Sequence, residues 1–197
     1  MDRRTKLETV VFLGLIAAGV SVRLLLRDWP NIAPVAAIAL FSGYYFRSKW
    51  TALAVPFCMM AISDHFIGGH HWMVMVAVYA MLALPVAARG VLRRHFDLSS
   101  EKRGEKVKAV CGLLACSLTT SILFYVVTNF AVWFISPMMY PPPLEGLGIC
   151  YVNALPFFRN SLASNLFFGV ALFGGYALLL NLGRASQPQD ATALESI

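Results

Sequence analysis

The residues best suited to chemistry stand in four groups. The first is SDHFIGGHH, Ser63 to His71. It sets Asp64 beside His65, His70 and His71, three of the chain's four histidines. A carboxylate with imidazoles is a donor set for a transition metal. The spacing matches no firm ligand motif, and Gly68–Gly69 makes a flexible turn. An ordinary polar loop therefore fits as well as a binding site. Asp64 closes an apolar run, and an acid at membrane depth is a functional candidate by default. The second group is a stripe, Ser117, Ser121, Tyr125, Asn129 and Trp133, recurring every four residues. Such residues share one slowly drifting helix face. The serines suit helix–helix hydrogen bonding, whereas Asn129 and Trp133 suit the wall of a pocket. The third is RLLLRDWPNIAP, Arg23 to Pro34, with Trp29 and Asn31 as ligand-facing candidates. Interfacial anchoring by arginine and tryptophan explains it equally well. The fourth runs through NALPFFRN, with Asn153, Phe158 and Arg159, to Asn165.

None of these makes a catalytic signature. HExxH, GxSxG, the Walker loop and GxGxxG are all missing, so an enzyme is not expected. A cofactor and a dedicated metal site are not expected either. Active transport would need a partner ATPase or an ion gradient.

The elements that must position these groups are membrane spans. Of 197 residues, 58% are hydrophobic and 13% charged, against about 25% charged in soluble domains. Mean hydropathy is +0.67. Between Ala109 and Phe158 the one charge is Glu145, and Ser161–Gly183 has none. Runs of about 20 apolar residues cross a bilayer as helices. The sequence predicts an all-α membrane bundle of about six spans: 9–26, 32–46, 50–66, 72–88, 109–135 and 160–182. Residues 1–183 form a single domain, and 184–197 a polar, disordered tail. With the N-terminus inside, inner segments hold 13 of the 16 Lys and Arg, and outer segments hold Arg23, Arg27 and Arg159. That bias puts both termini in the cytoplasm. A re-entrant hairpin of spans two and three would leave the bias unchanged. The +6 net charge sits between spans, which points to lipid headgroups and not to nucleic acid. The segment 147–158 is too short to cross and suits a separate helix or lid on the outer face. The first apolar run lacks a convincing cleavage site and reads as a retained span. The four cysteines read as small buried hydrophobes. Small-xxx-small pairs such as Gly14 with Ala18 suit internal packing or a partner helix.

The stretches RLLLRDWPNIAPVAAIALFSGYYF, SDHFIGGHH, VTNFAVWF and MMYPPPLEGLGICYVNALPFFRNSLASNLFFGVALFGGYALL resemble a bacterial membrane family classed only with transport proteins. That family is in turn similar to the S components of energy-coupling-factor transporters, six-helix proteins that bind vitamins or metal ions from outside. A solitary cobalamin-transporting branch has this size and layout. The resemblance implies a substrate-binding protein of the bacterial inner membrane, taking up a vitamin-like micronutrient, cobalamin-type included. Its partners would be the small molecule, the bilayer, and an energy-coupling membrane protein with its ATPase. The Met-His ligand of nickel and cobalt S components is missing, since Asp2 follows Met1. The rival reading is an envelope scaffold similar to rod-shape-determining membrane proteins.

Overall fold

A computed structural model describes residues 2–29, 31–68, 71–100, 102–140 and 144–185. All regular structure among them is helical: α1 (Arg3–Leu25), α2 (Val35–Tyr45), α3 (Lys49–Ile67), α4 (Trp72–Ala87), α5 (Arg89–His95), α6 (Arg103–Ile135), α7 (Leu144–Gly169), a π-helical turn (Val170–Gly174) and α8 (Gly175–Ala185). Five helical stretches are long and apolar enough to cross a bilayer, and α2 is a shorter apolar helix. The chain is a multi-pass membrane protein. The tail expected over 184–197 lies, from residue 186 on, outside the described residues.

The local causes are readable. The Ser48 hydroxyl accepts the Thr51 N–H at 3.3 Å and caps α3. Gly68, at φ 96°, ends that helix in a backbone region that side chains avoid. Pro56, Pro85 and Pro156 sit inside α3, α4 and α7. Each removes one helix hydrogen bond, a loss that neighbouring helices make tolerable in membranes.

The helices run alternately between two ends of the bundle. At one end, Arg89 donates to the Phe46 carbonyl at 3.1 Å and Arg93 to the Tyr44 carbonyl at 2.7 Å. These guanidinium groups cap the last carbonyls of α2, where the helix dipole favours cations. Lys106 bonds Asn181 at the same end. At the other end, Arg23 on α1 pairs with Asp64 on α3, and Ser161 on α7 bonds the Asn31 carbonyl at 3.3 Å.

The centre of the molecule is α2. Eight of its eleven residues, Ala36 to Gly43, are buried. It is apolar all round, as a fully enclosed helix must be, and packs on α1, α3, α4, α6 and α7. Gly43 allows a close approach of backbones, because a Cβ there would stand 3.0 Å from the Pro85 carbonyl oxygen on α4. Below it an aromatic cluster joins Phe41 and Tyr44 to Phe173 and Tyr176.

Three expectations need correction. Span two was expected over 32–46, but α2 holds 11 residues, about 17 Å, roughly half the hydrocarbon thickness. Residues 147–158 are not a separate lid. They belong to one continuous helical stretch from Leu144 to Ala185, because Pro156 and the polar residues around it do not stop the helix. Between α4 and the apolar part of α6, helix α5 and the first turns of α6 carry the basic residues, since charge ends a hydropathy run without ending hydrogen bonding. The cysteines also differ from expectation. Cys150 is buried and Cys116 half-buried, but Cys58 and Cys111 are exposed on the outer surface of the bundle, where lipid is as good a solvent for a thiol as a core.

Candidate functional site

The shortness of α2 creates a void. Its first turn lies deep in the bundle, and the described chain before it, 26–29 and 31–34, is turn and irregular backbone. Irregular backbone at membrane depth is tolerated where it lines a cavity. A cavity of about 260 Å³ occupies this space, bordered by the α1–α2 connection, α3, α4, α6 and α7.

Its floor is the start of α2. A helix leaves its first N–H groups without partners inside the helix, and the cap residue here, Pro34, has no side-chain acceptor. The acceptor comes from α7. Asn165 Oδ1 takes the Ala37 N–H at 3.3 Å, while its Nδ2 donates to Ser121 Oγ on α6 at 3.1 Å. One buried amide thus ties three helices at the floor.

One wall carries charge. Arg23 Nη2 lies 2.9 Å from Asp64 Oδ1, with both side chains under 15% exposed. Arg23 Nη1 also reaches Met60 Sδ at 2.8 Å and Ser63 Oγ at 2.5 Å. The second carboxylate oxygen, Oδ2, is buried and has no hydrogen-bond partner among the described residues. Burying a charge is tolerable only when it is paired and bonded, so this oxygen stands ready for a donor.

The opposite wall is the α6–α7 pair. Tyr125 donates its hydroxyl to the Tyr151 carbonyl at 2.6 Å, and Tyr151 donates to the Val126 carbonyl at 2.8 Å. This reciprocal tie fixes the helices on which Phe124, Tyr125, Asn129, Phe157 and Phe158 meet the cavity. Tyr125 and Phe158 have ring centroids 4.6 Å apart. The roof involves Asn31, at φ +59°, a conformation that asparagine tolerates better than most residues.

Of the residues singled out in the sequence, Asn31, Asp64, Ser121, Tyr125, Asn129, Phe158 and Asn165 border the cavity. The other described candidates do not border it. Trp29 is exposed beside it. His65 meets Phe66 edge-on. His71 caps α4, its Nδ1 accepting the Met73 N–H at 3.4 Å. Trp133 lies beyond the wall, its Nε1 buried without a partner among the described residues. Asn153 and Arg159 are exposed on α7, and His70 lies outside the described residues. Among the described residues no three His, Cys, Asp or Glu come together. Sequence reasoning passed over Arg23 as an interfacial anchor. The signal was there, since a cation and an acid each at membrane depth need a partner.

A family model described as a family of unknown function, DUF6580, matches residues 3–188, and the chain belongs to that family. No curated protein and no solved structure matches the chain.

Proposed function

We propose that this member of the family is a substrate-binding protein for uptake of a small, vitamin-like micronutrient across the bacterial inner membrane. The observation that carries the reading is the buried, unpartnered Asp64 oxygen beside Arg23 in a cavity rich in amides and aromatic rings. Among the described residues Arg23 and Asp64 are the charged ones bordering the cavity, and they cancel. A neutral ligand suits this balance, because it leaves no buried charge uncompensated. Asn31 and Asn129 offer both donors and acceptors. Phe124, Phe157 and Phe158 offer flat apolar walls, so a heteroaromatic ring with N–H and carbonyl groups fits the chemistry. At about 260 Å³ the cavity falls just below the usual range of about 300–1,000 Å³ for drug-sized ligands. A compact ring system suits it, and a corrinoid is far larger. The basic end of the bundle belongs in the cytoplasm by the positive-inside rule, so the cavity opens outward. Release to the inside requires an energy-coupling membrane protein with an ATPase, or an ion gradient.

The test is mass spectrometry of small molecules released from the purified chain. A stoichiometric compound is expected, and Asp64→Ala and Asn129→Ala should lose it while remaining folded. A scaffold behaves otherwise: no compound is released, and cells carrying either alanine variant grow and keep their shape like wild type. That outcome would overturn the binding reading.

A further inference from the structure

At the basic end, α6 and the last helix part company. Along most of its length α6 packs on α7, and it touches the π-helical turn, but it makes few contacts with α8. The π turn inserts one extra residue per turn and redirects the helix, and Gly174 and Gly175 place no side chain in the gap. The result is an open groove of about 340 Å³ between the first turns of α6 and α8.

Its lining is graded. Arg103, Lys106 and Asn181 stand at its polar end, and Val110, Ala177 and the exposed Leu178 continue it as an apolar face. Lys106 is held in place by its bond to Asn181. The nearby acid, Glu105, is engaged elsewhere, with Ser100 and with Lys102 at 3.5 Å. The two cations at the groove are thus left facing a headgroup region.

We infer that this groove is a binding site for an anionic phospholipid, with the phosphodiester at Arg103 and Lys106 and an acyl chain along Val110 and Leu178. Two features select this occupant. The charge is complementary to a phosphate, and basic pockets between helices at this level take anionic headgroups. The apolar face is useless to a free anion but matches a lipid's own change from polar to apolar. A zwitterionic lipid fits the apolar part and brings its own cation against Arg103 and Lys106.

The inference is tested on the delipidated full chain in detergent micelles. Native mass spectrometry would follow titration with phosphatidylglycerol, with phosphatidylcholine of the same acyl chains, or with inorganic phosphate. One phosphatidylglycerol should bind at least about tenfold more tightly than phosphatidylcholine. The double variant R103Q/K106Q should weaken it roughly thirtyfold, from the usual contribution of two interfacial charges. Arg94→Gln, on α5, should leave binding unchanged. Leu178→Gln keeps both charges and should still weaken binding severalfold, which covers the case in which the double variant fails to fold. Equal affinity for phosphatidylcholine, an unaffected R103Q/K106Q, or phosphate competing as well as the lipid would each overturn the site.

Discussion

Replacing Arg23 by methionine tests the charged wall most directly. The substitution keeps an unbranched side chain and removes three contacts at once: the 2.9 Å ion pair with Asp64 and the bonds to Ser63 and Met60. It leaves a carboxylate that is 13% exposed without a counter-charge. Breaking a buried pair from one side costs about 3–5 kcal/mol. Asp64→Asn should cost less, about 1.5–3 kcal/mol for one charged hydrogen bond. The amide keeps the shape, and Arg23 retains Ser63 and can reach toward the interface from the last turn of α1. The double variant R23M/D64L removes both charges together, and apolar replacement of a buried pair is often nearly neutral. It should therefore be more stable than R23M alone, with a coupling energy of at least about 2 kcal/mol. The assay is reversible unfolding in mixed micelles with rising dodecyl sulfate, followed by far-ultraviolet circular dichroism. Effects that add to within about 0.5 kcal/mol would mean that water screens both groups, and the argument from an unsatisfied Asp64 oxygen would fall with them.

The floor of the cavity gives a second case. Asn165→Ala removes the acceptor of the Ala37 N–H and the tie to Ser121, and should cost about 1–3 kcal/mol in the same unfolding assay; a neutral result would show that water caps α2. Gly43→Val should destabilise by about 1–3 kcal/mol, because its Cβ meets the backbone of Pro85 and Val86. Gly14→Ala, with nothing within 4 Å of the added Cβ, should instead raise stability by up to about 1 kcal/mol; the reverse ranking of these two glycines would refute the packing of α2 on α4. Topology is checked with Ser99→Cys in a background lacking the native cysteines: a membrane-impermeant maleimide should label it in broken cells and fail in intact ones.

The helices were legible because hydropathy reports what a bilayer demands of a surface. It does not report where hydrogen bonding stops. So α6 begins at Arg103 although the apolar run begins at Ala109, and α2 begins at Val35 although the apolar run begins at Ile32. Pro30 and Pro34 in the sequence were the sign of that delayed start. The stripe on α6 shows both the reach and the limit of spacing arguments. Ser121, Tyr125 and Asn129 border the cavity, while Ser117 and Trp133 do not. A four-residue step advances about 40° beyond a full turn, so the stripe's ends differ by about 160° and cannot face one space. The partners of the Arg23–Asp64 pair lie 41 positions apart in sequence, and no local pattern announces it. Asn165 was chosen for its polarity and depth, but its part in capping α2 follows from a helix start that only three dimensions reveal.

The lengths of the helices carry one more consequence. On one flank α1 and α3 hold 23 and 19 residues, about 35 and 29 Å of helix. On the other, α6 holds 33 and the continuous stretch through α7 and α8 holds 42, about 50 and 63 Å. A hydrocarbon core of about 30 Å matches the first flank and falls short of the second. Even without its charged first turns, the apolar run 109–135 of α6 measures about 40 Å, so the apolar belt is taller on this flank. Lipid beside α6 and α7 must stretch or the long hairpin must lean, each at a modest cost per ångström of mismatch. Leaning would change the angle between the hairpin and α3, the two sides between which the cavity lies. The thickness of the surrounding bilayer thus acts as a mechanical load on the mouth of the cavity, heavier in a thin membrane than in a thick one.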